Sequence, residues 1–149
     1  MSTPPPACRA HGPGLAPSAL IGRRVVAVAA ARHEHEGRQD PIPVDVWLLD
    51  GQGGAVRLGA GTDWCLEVEA EPPYEGYDMG DWGRIAVGPA DDRTPFAPHL
   101  GHPVLAARPE HHPLTGRTAL ELDFPHGTVR CESTGGELLL HAVPVTGAP

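Results

Sequence analysis

The chain has 149 residues, 40% of them apolar, with a formal charge of -8, which is enough for one ordinary domain with a real core. All of its cationic residues are arginine, so Schiff-base catalysis, the phosphate-cradling loop that ends in Lys and the kinase ion pair are excluded. The acidic balance argues against nucleic acid or an anionic membrane as a partner, since both demand a basic face.

Taken in chain order, residues 1–20 are proline-rich with no apolar period, and this composition predicts a loosely ordered segment. Residues 21–143 then read as a single β domain. Strand candidates are 23–31 (preferred over a helix because no cap precedes it), 44–50, 55–59, 63–70, 84–88, 103–108, 118–124, 128–132 and 137–143, each bounded by glycine-rich turns. In the strand over 63–70, alternation puts Trp64, Leu66, Val68 and Ala70 on the core face, with Asp63, Cys65, Glu67 and Glu69 outward. Over 118–124, Leu120, Leu122 and Phe124 face the core while Glu121 and Asp123 face water. Residues 144–149 form a tail.

An internal duplication is the most specific feature. "GRRVVAV" at 22–28 matches "GHPVLAA" at 101–107, and "WLLDGQGGAVRL" matches "LELDFPHGTVRC", with G-x-V-R at Gly54–Arg57 and again at Gly127–Arg130. The pseudo-repeats span about 22–70 and 101–143. One three-strand meander cannot bury its apolar face alone. The expected fold is therefore mainly β, an antiparallel sandwich or partly open barrel of two pseudo-repeated meanders. Arg57 and Arg130 are expected to pair with acids such as Glu67 and Glu132.

Three patterns carry candidate chemistry. "HEHE" sets His33 and His35 on one face of a strand with Glu34 and Glu36 on the other, and the equivalent insert of the second half holds Glu110, His111 and His112. If the inserts meet, His33, His35, His111 and His112 can begin a zinc or iron site. Compared with the cupin signature, Glu36 comes too soon for the carboxylate and no second spaced motif follows. "YEGYDMGDWG" interleaves Tyr77 and Trp82 with carboxylates, the composition of a binding loop or of a long connection pinned by its rings. Asp91 and Asp92 invite a hydrolase reading but are ordinary turn residues. Three cysteines, Cys8, Cys65 and Cys131, are an odd number without C-x-x-C, which suggests no disulfide framework. Cys65 and Cys131 are expected as small packing residues at outward or edge positions. With three serines and no G-x-S-x-G, nucleophilic serine chemistry is not expected.

The missing lysine and asparagine and the scarce Phe, Tyr, Met and Ile all belong to AT-rich codons, so the genome is read as GC-rich and bacterial. The stretches "GRRVVAV", "DGQGGAVRLGAGTDWCLEV" and "PLTGRTALELDFPHGTVRCES" resemble small β-rich proteins of GC-rich actinobacteria, some of them immunity or accessory proteins of toxin loci. That resemblance implies binding rather than catalysis and brings no catalytic residues. The expected function is a non-enzymatic acidic binding domain meeting a basic protein through Glu67, Glu69, Glu71, Glu75, Tyr77, Asp78, Asp81 and Trp82, with no cofactor. The alternatives are a metal-binding protein or metal-dependent enzyme built on the His-rich inserts, and a β-barrel holding a small ligand. No apolar run approaches a membrane span and no leader opens the chain, so a cytoplasmic location is expected. Oligomeric state has no signal.

Overall fold

The period-two alternation becomes two antiparallel sheets. The computed structural model describes residues 12–61 and 63–144; the expectations for residues 1–11, Cys8 among them, and for 145–149 lie outside the described residues. Eleven strands follow in order among these residues: β1 (Ala27–His35), β2 (Arg38–Gln39), β3 (Asp45–Leu49), β4 (Ala55–Ala60), β5 (Leu66–Glu69), β6 (Tyr77–Asp78), β7 (Arg84–Pro89), β8 (Ala106–His112), β9 (Gly116–Phe124), β10 (Gly127–Thr134) and β11 (Glu137–Val143). The first sheet runs β5-β4-β3-β1-β7-β6, with β2 hydrogen-bonded to the far end of β1, and the second runs β11-β10-β9-β8. They form a sandwich and do not close into a barrel, so the interior that a ligand-holding barrel needs is not formed.

Alternate residues from both sheets fill the space between them. Val28 and Ala30, Val46 and Leu48, Val56 and Leu58, and Leu66 and Val68 point inward from the first sheet; Leu120, Leu122, Phe124, Val129, Cys131 and Leu138 meet them from the second. Full burial of each Leu or Val contributes about 1.5–3 kcal/mol, which is why a one-residue slip of any of these strands is strongly disfavoured. The residues between them in β1 and β3 are also buried: Ala29, Ala31 and Trp47 join Ile85 in a second cluster on the outer face of the first sheet, covered by Tyr74 and Met79. The first sheet is thus buried on both sides over these positions, the second on one.

The segments leading into β1 and β8 lie side by side between the sheets, bridged at Arg24 and Pro103. Gly22 N donates to Val104 O (2.8 Å) and Gly101 N to Val25 O (2.7 Å), while Val26 N donates to Leu49 O (2.8 Å) and Leu105 N to Asp123 O (2.7 Å). Val25 and Val104 are buried and Val26 and Leu105 exposed. The connection order β1-β3-β4-β5 matches β8-β9-β10-β11.

Several expectations are corrected. From Gly12 the chain is fastened to the sandwich at points: Leu15 N donates to Val68 O (2.8 Å), a 3-10 turn forms over Pro17–Leu20, and Leu20 enters the core. Trp64 is not a core residue. It sits at φ 67° in the turn that precedes β5 and is exposed, because the strand begins only at Leu66. Asp50 and Asp123 are not equivalent. Asp50 caps its own turn, accepting from Gln52 N and Gly54 N (both 2.8 Å), whereas Asp123 lies in β9, since the first hairpin connection is longer than the second. Cys65 and Cys131 are buried, not outward or at an edge, and Cys65 is disulfide-bonded while Cys131 is free.

Candidate functional site

The aromatic, acid-rich stretch 74–84 crosses the outer face of the first sheet and is tied to it ring by ring. Tyr74 meets Trp47 edge to face at 4.9 Å and donates its hydroxyl to Asp45 Oδ2 (2.6 Å). Such aromatic pairs add about 0.5–1.5 kcal/mol beyond their area. Burial and the neighbouring Asp45 carboxylate push the Tyr74 phenol well above its ordinary range, so it stays a donor. The chain then pairs briefly as β6 with β7 and makes a short turn, Gly80–Trp82, closed by Met79 N to Gly83 O (2.8 Å) and capped by Asp78 Oδ1 on Gly80 N (2.7 Å).

His33 and His35 hold that turn. They share a face of β1, rings 6.1 Å apart and nearly parallel, as the alternation predicts. His33 Nε2 donates to Trp82 O (2.6 Å) and His35 Nε2 to Asp81 O (3.0 Å). A carbonyl only accepts, so each Nε2 carries its hydrogen and has no lone pair free for a metal. Gly83 makes the approach possible: with φ 93°, a Cβ there would collide with Glu34 O.

With the backbone held this way, the turn presents what it does not bury. Trp82 is 79% exposed and Tyr77 51%, and Glu75, Asp78 and Asp81 of the same stretch are exposed. Between the turn and the tip of the β1–β2 hairpin opens a cleft of about 420 Å³ lined by Glu34, His35, Glu36, Asp78 and Arg84 among others. Arg84 pairs with Glu34 (2.8 Å), leaving the cleft with an excess of carboxylate. This arrangement offers a cation-attracting groove beside an exposed indole.

The other expected acids lie elsewhere. Glu67 is buried and bonded to Arg57 (2.8 Å), which also holds Asp45 (3.1 Å) and Glu71 (2.9 Å). Burial works against the charge of Arg57, but its three carboxylates outweigh that and raise its pKa. Burial raises Asp45, with Tyr74 and Arg57 opposing. Glu67 therefore serves the fold and cannot meet a partner; Glu69 is half-buried. The expected pairing of Arg57 with Glu67 is present, as is that of Arg130 with Glu132 (2.9 Å).

His111 and His112 occupy the corresponding hairpin, at the end of β8, where His112 Nδ1 accepts Leu114 N–H (3.1 Å). The structure does not gather the four insert histidines: among the described residues no group of three or more His, Cys, Asp or Glu is arranged to hold a metal ion. Asp91 accepts Val28 N–H (2.6 Å) and ties the connection after β7 to β1, a structural task. Burial pushes the Cys131 thiol up to about 12, which removes it as a nucleophile.

Sequence reading missed β2, β6 and the role of the histidines as props for the turn. The signal for a covered outer face was present in "VVAVAAA" and "VDVWLLD", which are apolar at consecutive positions as strands buried on both sides are. Comparison of the chain with protein families, with curated proteins and with solved structures finds no match. Among the described residues no helix is long and apolar enough to cross a membrane.

Proposed function

We propose that this domain works by binding a basic macromolecular partner, of immunity or accessory type, through the Gly80–Trp82 turn and the carboxylate cleft beside it. One observation carries the reading: Trp82 stays 79% exposed on a turn whose backbone is fastened by two histidine side chains. A large aromatic held rigidly in water loses little entropy on binding and is the residue type that dominates interfaces. The acids Glu75, Asp78 and Asp81, with Glu36 across the cleft, supply the steering charge. The overall charge of -8 acts in the same sense.

The twin bonding pattern around Arg24 and Pro103 supports an origin by duplication of one four-strand module. In that reading β6, the turn and β7 are an addition to the free edge of β1, an edge that β8 leaves unpaired. The Cys65 disulfide favours a partner met in an oxidising compartment over the cytoplasmic one expected from the sequence.

Affinity capture with the full chain at low and at moderate salt, followed by calorimetry on the identified partner, tests the reading. The expected partner is basic, bound more weakly as salt rises, and bound roughly 30-fold more weakly by Trp82→Ala. Melting temperature should not change in that variant, because the side chain is in water. Capture of no basic protein, or an unchanged affinity for Trp82→Ala, overturns it.

A further inference from the structure

At one end of the sandwich the alternation of β1 carries a charge inward. Val28, Ala30 and Arg32 share the inner face, and Arg32 is only 5% exposed. Its Nη1 donates to the backbone carbonyls of Asp40 (3.4 Å) and Pro41, and its Nε is buried with no hydrogen-bond partner. Among the described residues it makes no ion pair, in a chain with 19 carboxylates against 11 cations. Asp40 instead caps Ile42 N (2.9 Å). Burial and the like charge of Arg93 pull the Arg32 guanidinium below its ordinary range, only partly opposed by Asp40.

A buried cation without an anion is costly, and an anion brought to it offsets that cost. Here the space for one exists. A cleft of about 170 Å³ opens between the sheets, lined by Arg32 and Arg93 and, on its apolar walls, by Ile42, Pro43, Pro95 and Leu138. That is room for roughly five or six water-sized groups. Arg93 reaches it from the rim, bonded to Gln39 Oε1 (2.7 Å).

We propose that this cleft is a binding site for a small monocarboxylate with a short aliphatic tail, its carboxylate on Arg32 and Arg93 and its tail against Ile42, Pro95 and Leu138. The planar guanidinium fork matches a carboxylate, and the apolar walls match a hydrocarbon tail that inorganic phosphate lacks. The site is separate from the Trp82 surface, and either proposal stands if the other fails.

Titration calorimetry of the full chain with butyrate, butyramide and inorganic phosphate tests it, with melting curves alongside. Saturable one-to-one butyrate binding is expected, with no binding of the uncharged butyramide and weaker binding of phosphate. Arg93→Gln, at the exposed rim, should weaken butyrate about tenfold with an unchanged melting temperature, the loss of one charge-assisted contact. If Arg32→Gln folds, butyrate should no longer raise its melting temperature. Absent saturation by butyrate, equal binding of butyramide, phosphate binding tighter than butyrate, or an Arg93→Gln variant that binds like the parent would each overturn the proposal.

Discussion

Arg57 and Arg130 stand at matching places in the two sheets, third after the glycine of the same four-residue pattern, yet one faces Trp47 across the ladder and the other Glu121. In the first sheet that partner is fully buried, Tyr74 closes over it, and the ion pairs of Arg57 are sealed at the edge of an apolar patch. In the second sheet Arg130 lies in an open network with Glu110, Glu121 and Glu132. A ring at this position recruits a covering segment, whereas a carboxylate leaves the face wet. The covering segment is the same one that presents Trp82, so the candidate surface exists because of the apolar outer face beneath it.

Removing the ring should break that distinction with the largest effect. Trp47→Ala takes out the centre of the outer cluster and is expected to destabilise the fold by about 3–5 kcal/mol, read by chemical denaturation. Tyr74 and the turn should loosen with it, seen as faster amide exchange over β6 and β7 than over β9 and β10. Trp47→Phe should lose much less, because Trp47 Nε1 is buried without a hydrogen-bond partner in the parent. Equal losses from the two variants would mean that the ring does not organise the cover.

How much of this was legible follows from where each residue sits. The inward faces of 118–124 and 66–68 could be read because a strand's period of two is set by the backbone itself. Trp64 and Cys65 were misread because the left-handed φ of Trp64 breaks the alternation, and nothing in "GTDWCLEV" marks a non-glycine residue for that conformation. The two aspartates were equated because their neighbours look alike, though hairpin connections of different length move them by one register position. Glu67 looked exposed by alternation and is buried, its carboxylate held by Arg57, a tertiary effect. The Arg32 cleft has no sequence pattern at all, since Arg32, Ile42, Arg93, Pro95 and Leu138 are brought together only by the fold.

The two arginines sharpen the comparison by a smaller amount. Arg57 has 13% of its side chain exposed and Arg130 25%. Arg57→Gln leaves Asp45 and Glu67 half-sealed without a cation and should cost about 2–3 kcal/mol; Arg130→Gln, where water replaces the lost bonds, should cost under about 1 kcal/mol. Equal costs in urea melts would show that the covered face is no drier than the open one.

The smallest effect is expected from acid, and it should differ in sign between the open pairs of Arg108 and Arg130 and the covered Asp45. On the second sheet Arg108 holds Asp123, and Arg130 holds Glu110, below the ordinary carboxylate range. A depressed folded pKa means that the unfolded chain takes up protons first. The stability from these pairs is therefore complete above the ordinary carboxylate range and is lost as the pH falls through the depressed values, from about pH 4 downward. On the first sheet burial raises Asp45, so its charged form is a burden at neutral pH that protonation relieves as the pH falls toward the same range. Amide exchange followed between pH 6 and pH 3, corrected for the intrinsic rate, should show β10 losing protection before β4. Salt should diminish the difference, because the pairs of the second sheet are open to solvent. Simultaneous loss in both strands would indicate that the two sheets unfold as one unit and that the outer-face charges contribute nothing local.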